Sequence, residues 1–141
     1  MDATSLAGKW TYRSFHNNPT PVAGDPAKAL ALIFAEAMFE FTAPSATSLV
    51  GVLDWGSGGL DLSGTVVPAT GGAPMTVSIV GNGRPGTQTA GWRYDYRAHD
   101  AYAWPNGVNQ VQALVGSVIR VNPHGAAPAG YTASFIAVKR P

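Results

Sequence analysis

The side chains with the most chemistry to offer are three histidines, a set of tyrosines and tryptophans, one aspartate at a glycine turn and one arginine in an apolar run. His16, His99 and His124 lie too far apart to make the two-residue or four-residue ligand pairs of a local metal site, so no metal centre is expected. The absence of cysteine removes disulfides, thiolate nucleophiles and zinc–thiolate sites as well. An acid–base set is available: Tyr12, His16 and Asp54, with His16 the preferred general base because it follows the inward face of the first strand. Asp54 also has a plainer reading, since it stands just before Gly56-Ser57-Gly58, where an aspartate accepts the backbone N–H groups of a turn. Arg120, flanked by Val118, Ile119 and Val121, is the charge most exposed to burial. Such an arginine pairs with a carboxylate, snorkels to a rim, or clamps a ligand carboxylate.

Several catalytic templates are missing. There is no Gly-x-x-x-x-Gly-Lys loop, no Gly-x-Ser-x-Gly elbow and no His-Glu-x-x-His helix. Gly81-Asn82-Gly83-Arg84-Pro85-Gly86 is glycine-rich but joins two strand patterns, so it reads as a hairpin and not as a phosphate loop. No cofactor is implied.

The elements that must position these residues are strands. Eight runs rich in β-branched and aromatic residues span Lys9 to Phe15, Ala37 to Thr42, Ser48 to Trp55, Gly59 to Val67, Pro74 to Val80, Thr87 to Arg97, Asn109 to Val121 and Gly130 to Lys139. Their separators, Gly56-Ser57-Gly58, Gly71-Gly72, Gly81-Asn82-Gly83, Trp104-Pro105-Asn106-Gly107 and Pro123 to Gly130, are too short for crossover helices. One segment departs from this pattern. Asp25-Pro26 caps a helix-forming stretch whose Leu30, Ile33, Phe34 and Ala37 recur at helical spacing, which predicts a short helix lying on the barrel between strands one and two. The expected fold is a single all-β domain over residues 1–141, an up-and-down antiparallel sheet of about eight strands closed into a barrel because an open sheet would bare two edges. A two-sheet sandwich is the competing architecture.

Alternation assigns the faces. With Trp10 inward, Tyr12, Ser14 and His16 follow it from floor to mouth; Trp92, Tyr94 and Tyr96 oppose the charged set Arg93, Asp95 and Arg97; Tyr131, Ala133, Phe135 and Ala137 share the inner face of the last strand. The lumen is therefore lined with rings carrying hydroxyl and indole donors, suited to orienting an apolar or aromatic small molecule. The same rings could instead simply fill a small barrel.

Gly8-Lys9-Trp10 at the head of the first strand, with Lys139-Arg140 closing the last, resembles the calycin pattern of lipocalins, fatty-acid-binding proteins and avidins. The resemblance implies a barrel with Trp10 as its floor and Lys139 or Arg140 as the cover over that ring. Three functions stay open at this point: a binding protein using Trp10, Tyr12, Ser14, Trp92, Tyr94, Tyr96, Arg120, Tyr131 and Phe135; a cofactor-free isomerase, cyclase or lyase using Tyr12, His16 and Asp54; and a solid barrel serving as an interaction module. Nine basic against eight acidic residues, scattered along the chain, give no reason to expect nucleic acid or a membrane surface as partner. The N-terminal residues carry no export signal and no run is long enough to span a bilayer, so a cytoplasmic location is expected. Trp104 at a turn tip is a candidate lid or subunit contact, which would make the chain a homodimer.

Overall fold

A strand with one apolar face buries it most completely when the sheet rolls until its own edges meet, and this chain does so. The computed structural model describes residues 1–141. Its strands are β1 (Gly8–His16), β2 (Ile33–Ser45), β3 (Ser48–Asp54), β4 (Gly59–Val67), β5 (Thr76–Gly83), β6 (Arg93–Asp100), β7 (Ala113–Arg120) and β8 (Thr132–Lys139), and one short helix, α1 (Pro26–Leu30), lies between β1 and β2. All neighbours pair antiparallel in chain order, and β1 pairs with β8 from Trp10↔Lys139 to His16↔Ala133, closing the barrel. No helix is long and apolar enough to cross a membrane.

One end of the barrel is sealed by a 3-10 turn over Ala3–Leu6, a stretch with no periodic pattern of its own. Asp2 starts it by accepting the Thr4 backbone N–H at 2.8 Å, and Ala3 and Leu6 are fully buried under the strands. Trp10 donates its indole N–H to the Leu6 carbonyl at 2.8 Å, while Lys139 donates to the Ser5 carbonyl at 2.7 Å and holds its ammonium 5.8 Å from the Trp10 ring centre. Arg140 lies outside, against Met38. Above this floor Tyr12, Phe39, Tyr96 and Phe135 pack with ring centres 5.0–6.2 Å apart, mostly edge to face, and fill the lower and middle lumen.

The helix is shorter than its sequence pattern. It stops at Leu30, which is 67% exposed, and none of its residues is buried. Ile33 and Ala37, which recur at helical spacing, are the partners of Phe15 and Tyr12 in β2, and Ala35 between them stands opposite Ser14. A ladder along the upper half of β1 outweighs the few tenths of a kcal/mol per residue that helix propensity offers.

The second departure is at Gly81-Asn82-Gly83, which the sequence marks as a turn. These residues continue β5, pairing with Tyr94 and Arg93 on one side and with Leu62, Asp61 and Leu60 on the other. The turn comes later, and Thr87 to Trp92, expected in the sixth strand, folds back over the strand end. Thr89 is sealed there, donating its hydroxyl to the Gly59 carbonyl at 2.9 Å and accepting the Arg84 N–H at 3.1 Å. Its own carbonyl occupies the space a side chain at Gly83 would need, since a Cβ built on Gly83 would stand 1.5 Å from it. Gly83→Ala should therefore destabilise the fold by about 1–3 kcal/mol in urea unfolding, as forced overpacking does. Gly72→Ala, where a Cβ meets nothing within 4 Å, should stay within about 0.5 kcal/mol of the parent. Equal effects at the two positions would show that the fold-back does not constrain Gly83.

Candidate functional site

The inward residues of the upper half of β2 are small, Ala35 and Ala37, and no β3 residue pairs with β2 above Met38↔Asp54. Small side chains beside an unfilled stretch of wall leave room, and a cavity of about 420 Å³ opens there. Tyr12, Tyr94, Tyr96 and Val118 form its inner wall, Leu53 and Leu60 its side, and Phe34, Trp55 and Trp92 its mouth. Glu36 is the only carboxylate on its lining, and it is exposed, 3.9 Å from Arg13. Trp55 and Trp92 stack with ring centres 6.0 Å apart and planes 17° from parallel.

A polar network crosses the same end of the barrel, centred on Arg120. Its side chain is buried, and the three ion pairs of the protein, Arg13–Glu36, Arg84–Asp61 and Arg93–Asp95, do not include it. The guanidinium sits 5.2, 5.6 and 5.8 Å from the ring centres of Tyr131, Tyr94 and Phe34, and donates to the Tyr94 hydroxyl at 2.8 Å and the Pro128 carbonyl at 3.1 Å. Ring faces and neutral oxygens thus replace the carboxylate expected beside a buried cation. Tyr94 passes the polarisation on. A guanidinium only donates, so the Tyr94 oxygen accepts from Arg120, and the same hydroxyl is hydrogen-bonded to Nε2 of His124, 2.7 Å away. Burial, and after it the positive charge of Arg120, hold the His124 pKa below its ordinary value. The imidazole lies flat on Trp92, ring centres 3.6 Å apart and planes 10° from parallel. Across the mouth, His16 is hydrogen-bonded to the Tyr131 hydroxyl, and Phe34 stacks on Tyr131 at 5.4 Å.

The candidate residues read from sequence fall into separate places. Tyr12, Trp92, Tyr94 and Tyr96 line the cavity. Trp10 is sealed in the floor and Phe135 in the ring layer, while Arg120 and Tyr131 stand behind the cavity wall. Ser14 is fully buried, and its hydroxyl has no partner of hydrogen-bond geometry. Tyr12, His16 and Asp54 are not brought together: His16 is engaged with Tyr131, and Asp54 is exposed, its carboxylate accepting the Gly56 N–H at 2.9 Å as a turn former does. Trp104 is 68% exposed on the loop at the closed end, with the Tyr102 ring edge-on at 4.9 Å.

Phe34 and Trp55 are not among the site residues read from the sequence, and His124 stands there only as one of three histidines, behind His16. Trp55 was legible, because it follows Leu53 by two residues and alternation turns both inward; Phe34 was hidden by its helical spacing, and His124 lies in a loop without periodicity. No protein-family model, curated protein or solved structure matches this chain.

The lowered His124 pKa fixes a pH dependence. Below the ordinary value of 6.5 the unfolded chain takes up a proton at His124 that the folded chain resists, so this residue withdraws stability as pH falls and leaves it unchanged above. Urea midpoints measured between about pH 7.5 and pH 5.5 should fall less in His124→Gln than in the parent. Parallel curves would contradict a His124 whose protonation the fold opposes.

Proposed function

We propose that this chain binds a small apolar or aromatic molecule in the upper lumen of its barrel. The observation that carries the reading is the cavity of about 420 Å³, whose twelve lining residues are all apolar or aromatic except Glu36. That volume lies within the range of about 300–1,000 Å³ usual for small-molecule pockets, and the balance of many ring faces against few polar groups is the composition such pockets have. The stretch of β2 above Met38, with no β3 partner and with Trp55 and Phe34 beside it, is the way in. The resemblance of Gly8-Lys9-Trp10 and Lys139 to the calycin pattern supports the same reading, since calycins hold ligands inside their barrels. A ligand entering here takes its apolar surface out of water and meets rings already held in place by the strands.

Fluorescence titration with N-phenyl-1-naphthylamine, a neutral aromatic probe, tests this. Saturable binding is expected in the parent. Trp92→Ala removes a ring from the mouth and should weaken affinity by about tenfold, close to 1.4 kcal/mol. Arg93→Ala should stay within about twofold, because Arg93 faces outward and is paired in two hydrogen bonds, at 3.0 and 3.2 Å, with Asp95. No saturable binding by the parent, or equal losses in the two variants, would overturn the reading.

A further inference from the structure

We propose that Tyr12 and Tyr96 form the polar recognition element of this chamber, and that the ligand they select is a neutral aromatic or alicyclic compound carrying a carbonyl oxygen. The proposal rests on the cavity being a binding chamber and adds the class of ligand.

The hydroxyls of the lumen and its mouth divide sharply. Tyr94 accepts from Arg120 and is hydrogen-bonded to His124, and Tyr131 is bonded to His16, so both are committed within the protein. Tyr12 and Tyr96 are buried, and neither hydroxyl has a protein partner of hydrogen-bond geometry; the only sealed polar side-chain atoms without a partner are Ser14 Oγ and Asp100 Oδ1. The Tyr12 and Tyr96 hydroxyls therefore reach open space, and the space these residues line is the cavity. A ligand that covers these hydroxyls without offering an acceptor leaves a buried donor unmet at a cost of about 1–3 kcal/mol, so one that supplies an acceptor is favoured.

The two phenols are neighbours, ring centres 6.2 Å apart and planes at 81°. A carbonyl oxygen has two lone pairs, so it can accept from both and brings no donor of its own into an apolar wall. Burial raises the pKa of each phenol, reinforced by the other tyrosines, with only the Ser14 hydroxyl pulling Tyr12 the other way, so both remain neutral donors. The charge pattern disfavours a carboxylate ligand. Arg120 stands behind Tyr94, held by the Tyr94 hydroxyl and the Pro128 carbonyl, and the one ionised group on the lining, Glu36, is itself an anion.

Three probes of one shape separate the possibilities by displacement of N-phenyl-1-naphthylamine: 1-acetonaphthalene, 1-ethylnaphthalene and 1-naphthoate. The ketone should compete about tenfold better than the hydrocarbon. Tyr12→Phe and Tyr96→Phe should each reduce that advantage and together abolish it, with the hydrocarbon's affinity unchanged in all three variants as the control for folding. The infrared carbonyl stretch of the bound ketone should lie lower in the parent than in the double variant. If ketone and hydrocarbon compete equally, the phenol pair is not a recognition element, though the chamber stands. If naphthoate binds tightest and Arg120→Met removes its binding, the ligand is an acid and the proposal fails. If neither the fluorophore nor any of the three binds, the chamber reading falls with it.

Discussion

The seam between β1 and β8 is the constraint on which everything else depends. Seven registered pairs, from Trp10↔Lys139 to His16↔Ala133, convert an eight-stranded sheet with two bare edges into a cylinder of fixed circumference. A cylinder of eight strands is only just wide enough for its own side chains, so small differences in their size decide whether a level is solid or hollow. In the lower and middle levels the rings of Tyr12, Phe39, Tyr96 and Phe135 meet across the axis, and Gly81 makes room, its missing Cβ standing 3.1–3.2 Å from Leu60, Leu62 and Tyr96. Higher on β2 the inward residues shrink to Ala35 and Ala37, and the space opens.

The seam also brings the two ends of the chain onto one floor. Leu6, Trp10 and Lys139 are remote in sequence, yet they form one unit in which an indole donates to a carbonyl beneath it and an ammonium lies against the ring. With one end closed in this way, access to the lumen is confined to the other.

The open end is organised by a buried positive charge that finds no carboxylate. Arg120 is tolerated because three rings turn their faces to it and two neutral oxygens accept from it. The consequences run outward through hydrogen bonds: Tyr94 accepts from Arg120 and bonds to His124, the positive charge and burial disfavour a proton on that imidazole, and it rests flat on Trp92 at the cavity mouth. Within the lumen this sequence of commitments leaves Tyr12 and Tyr96 as the phenols without a protein partner.

Much of the architecture was legible in the residues. The alternation of Trp92, Tyr94 and Tyr96 against Arg93, Asp95 and Arg97 states which face is apolar, and the short glycine turns state that neighbours pair antiparallel; both are local properties, written in a two-residue period and in turn chemistry. Closure follows from the need to cover two edges. The tertiary structure alone decided the rest. Ile33 and Phe34 became strand and not helix because β1 needed a partner along its upper edge, and Thr87–Trp92 left its strand because Thr89 found the Gly59 carbonyl. The lowered pKa of His124, the commitment of Tyr94 and the place of the cavity depend on which side chains from distant strands face one another, and on the difference between the space the cylinder encloses and the volume those chains fill. A periodic pattern records the direction of a side chain; only the assembled barrel sets what stands opposite it.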